Sequence, residues 1–275
     1  AGGTIIINGG IINATGGYTA AGIGGGAAGN GGTITINGGS VTATGGFSAA
    51  GIGGGWADMF RLNGTTTITI NGGTVTAYAG DGGAGIGDGN FYGGEDTEIT
   101  ISAGVITTDG TIGIGGYYGT YLGSFSMGEG GSAVIFAQSI TDQSSKSQWN
   151  GAFFFGTSGT LYGSEVTLDT DVTIPDGYTL TVKDGEKLTV GAGVTVTNNG
   201  SIESYGQLIV NGTIENTPAN LRIHLNLSEN AQDLRFGEMI TLTASGENLP
   251  AEGDIVQFFY GNYLLRGTKV VGGSA

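Results

Sequence analysis

Residues 33–55 read TITINGGSVTATGGFSAAGIGGG, and residues 4–26 read TIIINGGIINATGGYTAAGIGGG, so nearly the same string occurs twice in succession. A third copy begins at Thr67, and a more degenerate fourth copy begins at Glu98. Internal periods of about 20–50 residues indicate stacked repeats, in which one unit cannot bury its apolar face alone. The chain therefore folds by stacking copies of this repeat.

Each copy contains three short runs with strand-like alternation, separated by glycine pairs. In the first run of the second copy, Ile34 and Ile36 fall on one face, whereas Thr33 and Thr35 fall on the other. Three strands joined by sharp corners describe one coil of a parallel β-helix, in which each strand pairs with its copy about 4.8 Å away. We therefore predict an all-β chain built on a right-handed parallel β-helix.

Alignment of the copies predicts three apolar columns inside the helix. The columns are Ile7, Ile36, Ile70 and Ile101; Ile12, Val41, Val75 and Ile106; and Ile23, Ile52, Ile86 and Ile114. Asn8, Asn37 and Asn71 are predicted to stack at the first corner. Asparagine tolerates the left-handed conformation there, and its amides can hydrogen-bond along the stack. The glycines are expected to supply positive φ at the corners.

The repeat pattern changes along the chain and predicts two domains. Residues 1–217 form the β-helix, with long-loop glycine-rich coils over 1–160 and short closing coils of about 20 residues over 161–217. A fifth long-loop unit, with little similarity to the others, is predicted near 133–140 and 151–156. Residues 218–275 have wider strand spacing and predict part of an Ig-like β-sandwich, since a whole one takes about 100 residues.

Composition excludes several classes of protein. The chain has 60 glycines in 275 residues but not at every third position, so it is not collagen. Eight Lys and Arg against 23 Asp and Glu give a net charge of −15, which argues against nucleic-acid binding. The absence of an apolar run of about 18 residues argues against membrane insertion. Because the chain opens on AGG without a leader, we expect a mature fragment or a shortened chain.

Two resemblances cover nearly the whole chain. The unit GGTITINGG…VTATGG…AGIGGG resembles the glycine-rich parallel β-helix repeats of Gram-positive cell-surface proteins, and residues 172–202 resemble their closing coils. Residues 240–275 resemble the first half of a bacterial Ig-like repeat, in which DIVQFFYGN matches a hairpin. The resemblance implies an exported, wall-associated, adhesin-like protein with further Ig-like repeats in the full-length chain. It carries over no catalytic residue.

The loops after each third run vary between copies and are predicted to leave the helix at the same corner. Their aromatic residues would line one edge: Trp56, Phe60, Phe91, Tyr92, Tyr117, Tyr118, Tyr121 and Phe125. Rings beside carboxylates suit a polysaccharide or a host cell-surface glycan, whose C–H faces stack on rings while its hydroxyls meet polar groups. The alternative is that these rings fold back and cover the helix edge.

The acidic residues of the same loops raise the question of calcium, the one cofactor we consider. Asp88, Glu95 and Asp96 could gather this cation, which takes several oxygen ligands, although a solvated acidic loop is favoured.

A pectate-lyase-like enzyme is the alternative function, but its Arg or Lys base would have to be Arg61 or Lys146, which lie in different loops. His224 has no nucleophile motif beside it. We expect a non-catalytic protein that is secreted or associated with the cell wall.

Overall fold

The computed structural model describes residues 2–57, 65–90, 97–110, 112–116, 124–128, 132–141 and 143–215, together with the backbone of 221–223, 255–260 and 263–269. These parts consist almost entirely of short strands, joined by glycine-rich turns, and a 3₁₀ turn lies at Lys146–Gln148. Within them, no helix has the length and apolarity needed to cross a bilayer.

The alternating runs of residues 4–141 build five coils of a parallel β-helix. Their strands are β1 (Thr4–Ile7), β2 (Ile11–Thr15), β3 (Ile23–Gly24), β4 (Thr33–Ile36), β5 (Ser40–Thr44), β6 (Ile52–Gly53), β7 (Thr66–Ile70), β8 (Thr74–Tyr78), β9 (Ala84–Gly87), β10 (Thr97–Ile101), β11 (Val105–Asp109), β12 (Ile112–Gly115), β13 (Ser124–Met127) and β14 (Ala133–Ala137). The first side of the helix is β1-β4-β7-β10-β13, the second contains β2-β5-β8-β11-β14, and the short third side is β3-β6-β9-β12. The predicted parallel β-helix is confirmed.

The three predicted apolar columns are confirmed in register. Ile36 pairs with Ile7 and Ile70 on the first side, and Ile52 pairs with Ile23 and Ile86 on the third. Column members from the second to the fourth coil are fully or almost fully buried. Burial of each such side chain contributes about 1.5–3 kcal/mol, so stacking supplies the stability that a single coil lacks.

The asparagine stack is also confirmed, although not its backbone conformation. Asn37 Nδ2 donates to Asn8 Oδ1 at 2.8 Å, and Asn71 Nδ2 donates to Asn37 Oδ1 at 2.8 Å. The left-handed conformation expected of these asparagines is wrong, because positive φ falls two residues later, at Gly39 (φ 91°) and Gly73 (φ 89°). Glycine thus makes the corner, while asparagine binds one coil to the next.

The fifth coil begins earlier than the sequence predicts. The variable loop expected over 117–131 contains β13, which pairs in parallel with β10 and places Phe125 in the column of Ile99. Phe125 is therefore fully buried, and its predicted place on the exposed aromatic edge is wrong. Trp149 packs edge-to-face against Phe125 at 5.0 Å and stacks on Phe153 at 5.6 Å, so aromatic rings close this end of the core.

The second sheet then continues through a reversal of strand direction. The remaining strands of this region are β15 (Gly151–Phe155), β16 (Ser158–Tyr162), β17 (Glu165–Leu168), β18 (Val172–Ile174), β19 (Thr179–Val182), β20 (Lys187–Val190), β21 (Thr195–Asn198), β22 (Ser201–Ser204), β23 (Gln207–Val210), β24 (Thr213–Glu215) and β25 (Leu221–Ile223). β15 pairs in parallel with β14 but antiparallel with β16. The prediction of unbroken parallel coils is wrong at this hairpin.

The reversal moves the core to the opposite face of the same sheet. Ile135 and Phe153 belong to the first core, whereas their chain neighbours Phe136 and Phe154 belong to a second core that continues through Leu180. β14 and β15 are therefore buried on both faces and form a wall shared by two β-helices. Because strand direction and core side reverse together, both helices wind in the same sense.

The second helix has the short coils that the sequence predicts. Its sides are β16-β19-β22-β25, β17-β20-β23 and β18-β21-β24, all parallel. From the alternation of residues 161–217 we also expect eight residues to face inward, and these are buried or partly buried: Leu180, Val182, Leu188, Val190, Val194, Val196, Leu208 and Val210. Leu221–Ile223 pairs in parallel with β22.

The C-terminal segment is described only in part. β26 (Ile255–Tyr260) and β27 (Tyr263–Lys269) form an antiparallel hairpin. The alternating run MITLTA (239–244), which predicts a further strand, and His224 lie outside the described residues. The Ig-like assignment of 218–275 stays a prediction.

Candidate functional site

The third side of the first helix is short, so the corner before it and the corner after it lie close together in each coil. In the first coil Ala21 N donates to Gly25 O at 2.8 Å, and in the second coil Ala50 N donates to Gly54 O at 3.0 Å. The chain thus turns back within five residues around β3 and β6. The corner that precedes this side and the loop that follows it consequently lie next to each other.

Two exposed aromatic rings occupy the corner before the third side. Tyr18 and Phe47, at equivalent places in the first two copies, stack with their centroids 5.6 Å apart and their planes 8° apart. Their side chains are 80% and 49% exposed, so the pair lies on the surface and outside the core. Sequence reasoning missed both residues because it searched the variable loops. The signal was an aromatic residue repeated after a glycine pair, outside every inward column.

The variable loops start beside this ring pair. Trp56 N donates to Thr19 O at 3.0 Å, and Asn90 N donates to Ser48 O at 2.6 Å, so each loop begins next to the corner of the preceding coil. Trp56 and Asn90 are equivalent positions, because Gly53 pairs with Gly87 on the third side. The first residues of two loops therefore lie at one edge, which we call the ring edge and define by Tyr18, Phe47 and Trp56.

The structure describes one of the predicted aromatic loop residues at this edge. The Trp56 side chain is 37% exposed, and its carbonyl also accepts a hydrogen bond from Ala28 N at 2.7 Å. The others lie outside the described residues: Phe60, Phe91, Tyr92, Tyr117, Tyr118 and Tyr121. Their place at the edge stays a prediction.

The carboxylates proposed for calcium are placed only at Asp88. Asp88 is buried, with 6% exposure, and its Oδ1 accepts a hydrogen bond from the Thr97 hydroxyl at the start of β10. This bond ties the third side to the next coil. Glu95 and Asp96 lie outside the described residues, within which no three His, Cys, Asp or Glu side chains cluster as metal ligands. A calcium site stays a prediction.

Lys146, one of the two bases considered for a lyase, lies against the aromatic end of the first helix. Its Nζ is 5.2 Å from the ring centroid of Phe155 and 5.4 Å from that of Tyr162, and it donates to Gln143 Oε1 at 3.2 Å. These contacts hold the ammonium group over two aromatic rings that cover the end of the first core. Arg61, the other base, lies outside the described residues.

Comparison with known families identifies the repeat. Residues 5–27, 34–56 and 68–90 match the family described as Beta helix repeat, and each match covers the three strands of one coil. Neither the curated proteins nor the solved structures contain a match to this chain. In its first three coils the chain is thus similar to beta-helix repeat proteins, which defines a class of fold and no particular activity.

Proposed function

We propose that the chain is a non-catalytic module of an extracellular, adhesin-like surface protein, secreted or held at the cell wall, and that it binds carbohydrate at the ring edge. The observation that carries this proposal is the stacked pair of Tyr18 and Phe47, which is exposed on the first two coils. Large apolar side chains at the surface of a soluble protein are informative when they cluster, since they mark interaction sites.

The chemistry of the edge suits sugar more than an apolar partner. Exposed aromatic faces accept the C–H face of a pyranose, while the threonine and asparagine groups nearby offer hydrogen bonds to its hydroxyls. Thr19 and Asn90 lie at the same two corners as the rings and are partly exposed. Each contact would be weak, so we expect useful affinity to come from several coils or modules acting together.

Two alternatives predict different behaviour. If the rings serve only to stabilise the corner, their removal lowers the free energy of unfolding and no glycan binds. If the chain is a polysaccharide lyase, as some β-helix proteins are, incubation with polygalacturonate releases unsaturated products that absorb in the ultraviolet.

The first experiment is a glycan array followed by calorimetric titration with the best neutral hit. Tyr18→Ala and Trp56→Ala should each weaken binding about two- to tenfold, because a ring contact is worth about 0.5–1.5 kcal/mol. Tyr205→Ala is the matched control, since Tyr205 is 40% exposed on the second helix, and it should leave binding unchanged. Equal affinity in all four proteins, or no hit at all, would contradict the proposal.

The same titration in EDTA tests the cation. We expect unchanged binding, since the described carboxylate of the predicted calcium set, Asp88, accepts a hydrogen bond from Thr97. A calcium-dependent gain in affinity that is lost in an Asp96→Asn variant would instead establish the acidic loop as a metal site.

A further inference from the structure

The two cores lie on opposite faces of the shared sheet, so the second helix projects from the outer face of the first. A concave surface forms where the two helices meet. A cleft of about 340 Å³ lies where the outer face of the first helix meets the first coil of the second helix. Thr74, Val105 and Thr107 of β8 and β11 form its floor, and Asp171, Thr173 and Tyr178 form its wall. We call this the step cleft. It is distinct from the ring edge, since neither Tyr18 nor Phe47 lines it.

The apolar part of the step cleft is packed against the second core. The ring of Tyr178 lies 6.0 Å from that of Phe136 and 6.1 Å from that of Phe154, between centroids. Phe136 and Phe154 stack at 4.4 Å inside the second core. Tyr178 is itself half-buried, so a partly exposed ring edge is held against the cleft by the core beneath it. A ligand would not need to order this ring.

The polar part of the step cleft has unused hydrogen-bonding capacity. Asp171 Oδ1 accepts a hydrogen bond from Thr195 N at 2.7 Å, which positions a carboxylate that is itself exposed. The hydroxyls of Thr74, Thr107 and Thr173 make no hydrogen bond with any residue of the described ranges, and all three side chains are exposed. Three hydroxyls and one fixed carboxylate thus surround a small apolar surface.

We propose that the step cleft binds a neutral saccharide, independently of the ring edge. Hydroxyls and a carboxylate oxygen match sugar hydroxyls as donors and acceptors, and Val105 with Tyr178 matches the apolar face of a pyranose. The described lining contains no Lys or Arg, and Asp171 repels anions, so an acidic polysaccharide is disfavoured. The volume is near the lower limit of ligand pockets, about 300 Å³, which suits a short segment of glycan.

The test is an NMR titration of the whole chain that follows threonine and valine methyl resonances. Cellotetraose is the neutral probe, and tetragalacturonate of the same length is the acidic one. We expect cellotetraose to shift the methyl signals of Val105, Thr107 and Thr173, and tetragalacturonate to leave them in place at the same concentration. Absence of shifts at these residues with cellotetraose, or equal shifts with both probes, would overturn the proposal.

Three substitutions, one of them a control, locate the site without disturbing the core. Thr107→Arg fills the cleft and should abolish the cellotetraose shifts, whereas Thr42→Arg should not. Thr42 is the matched control because Thr42, Thr76 and Thr107 occupy one outward column, and Thr42 does not line the cleft. Asp171→Asn keeps the acceptor for Thr195 and should weaken binding by about tenfold, as expected when a hydrogen bond to a charged group is lost.

The two saccharide proposals fail separately. Tyr18→Ala should leave the shifts at Thr107 and Thr173 intact, so loss of ring-edge binding does not affect this test. If Thr42→Arg and Thr107→Arg reduce the shifts equally, the cleft is not the site.

Discussion

At the scale of single residues, glycine and asparagine have different roles at the first corner of each coil. Asn37 both donates and accepts within the exposed stack, while Gly39 supplies the positive φ that turns the chain. The repeat made the inward isoleucines predictable, because alternation assigns their face directly. It also predicted positive φ at the corner glycines, which is confirmed, but it wrongly assigned the left-handed conformation to the asparagines as well, since both residue types tolerate it.

The third side sets a stricter requirement for glycine, and it yields a prediction. Gly53 has φ 133°, and a Cβ there would lie 1.9 Å from Gly87 O of the next coil. Gly53→Ala should therefore lower the free energy of unfolding by about 2–5 kcal/mol, from backbone strain together with overpacking. Urea denaturation measures this change.

Gly26→Ala provides the control for that substitution. No atom lies within 4 Å of a Cβ built at Gly26, and its φ is not positive. Its stability should change by less than about 1 kcal/mol, and the change should be neutral or stabilising. If both variants lost a similar free energy of unfolding, close approach between coils would not explain why glycine recurs on the third side.

At the scale of strands, the least predictable element is the β15–β16 hairpin. Alternation assigns one face of a strand to the core, but GAFFFG places three phenylalanines in succession, so neither face is polar. The sequence pattern could not choose between a degenerate coil and a strand buried on both sides. The structure shows the latter, with Phe153 in the first core and Phe154 in the second. The consecutive rings were the available signal.

This two-sided burial predicts equal sensitivity at neighbouring residues. Phe153→Ala and Phe154→Ala should each lower the free energy of unfolding by about 3–5 kcal/mol, since each truncation leaves a cavity in a packed core. Thr76→Ala, on the outward face of β8, is the control and should cost far less. A mild effect of Phe154→Ala, comparable with that of Thr76→Ala, would mean that only one face of β15 is buried.

At the scale of the whole chain, two parallel β-helices share one ten-stranded sheet, and their cores lie on its opposite faces. The repeat predicts the first helix, and the pattern of residues 161–217 predicts short coils, but as a continuation of the same helix and not as a second one. The two helices join through β14, β15 and β16, whose sequences resemble neither repeat. The junction could therefore not be predicted from the sequence. The ring edge belongs to the first helix alone, whereas the step cleft exists only because the cores are offset.

The shared wall is tested most directly by thiol labelling, because the chain contains no cysteine and each introduced thiol is unique. Val134→Cys and Ile135→Cys probe the two faces of β14; Thr74→Cys and Val75→Cys probe the same two columns on β8. We predict that only Thr74→Cys reacts quickly with a water-soluble maleimide under native conditions, and that the other three react at least about a hundredfold more slowly. Labelling of Val134→Cys as fast as Thr74→Cys would contradict a wall buried on both sides.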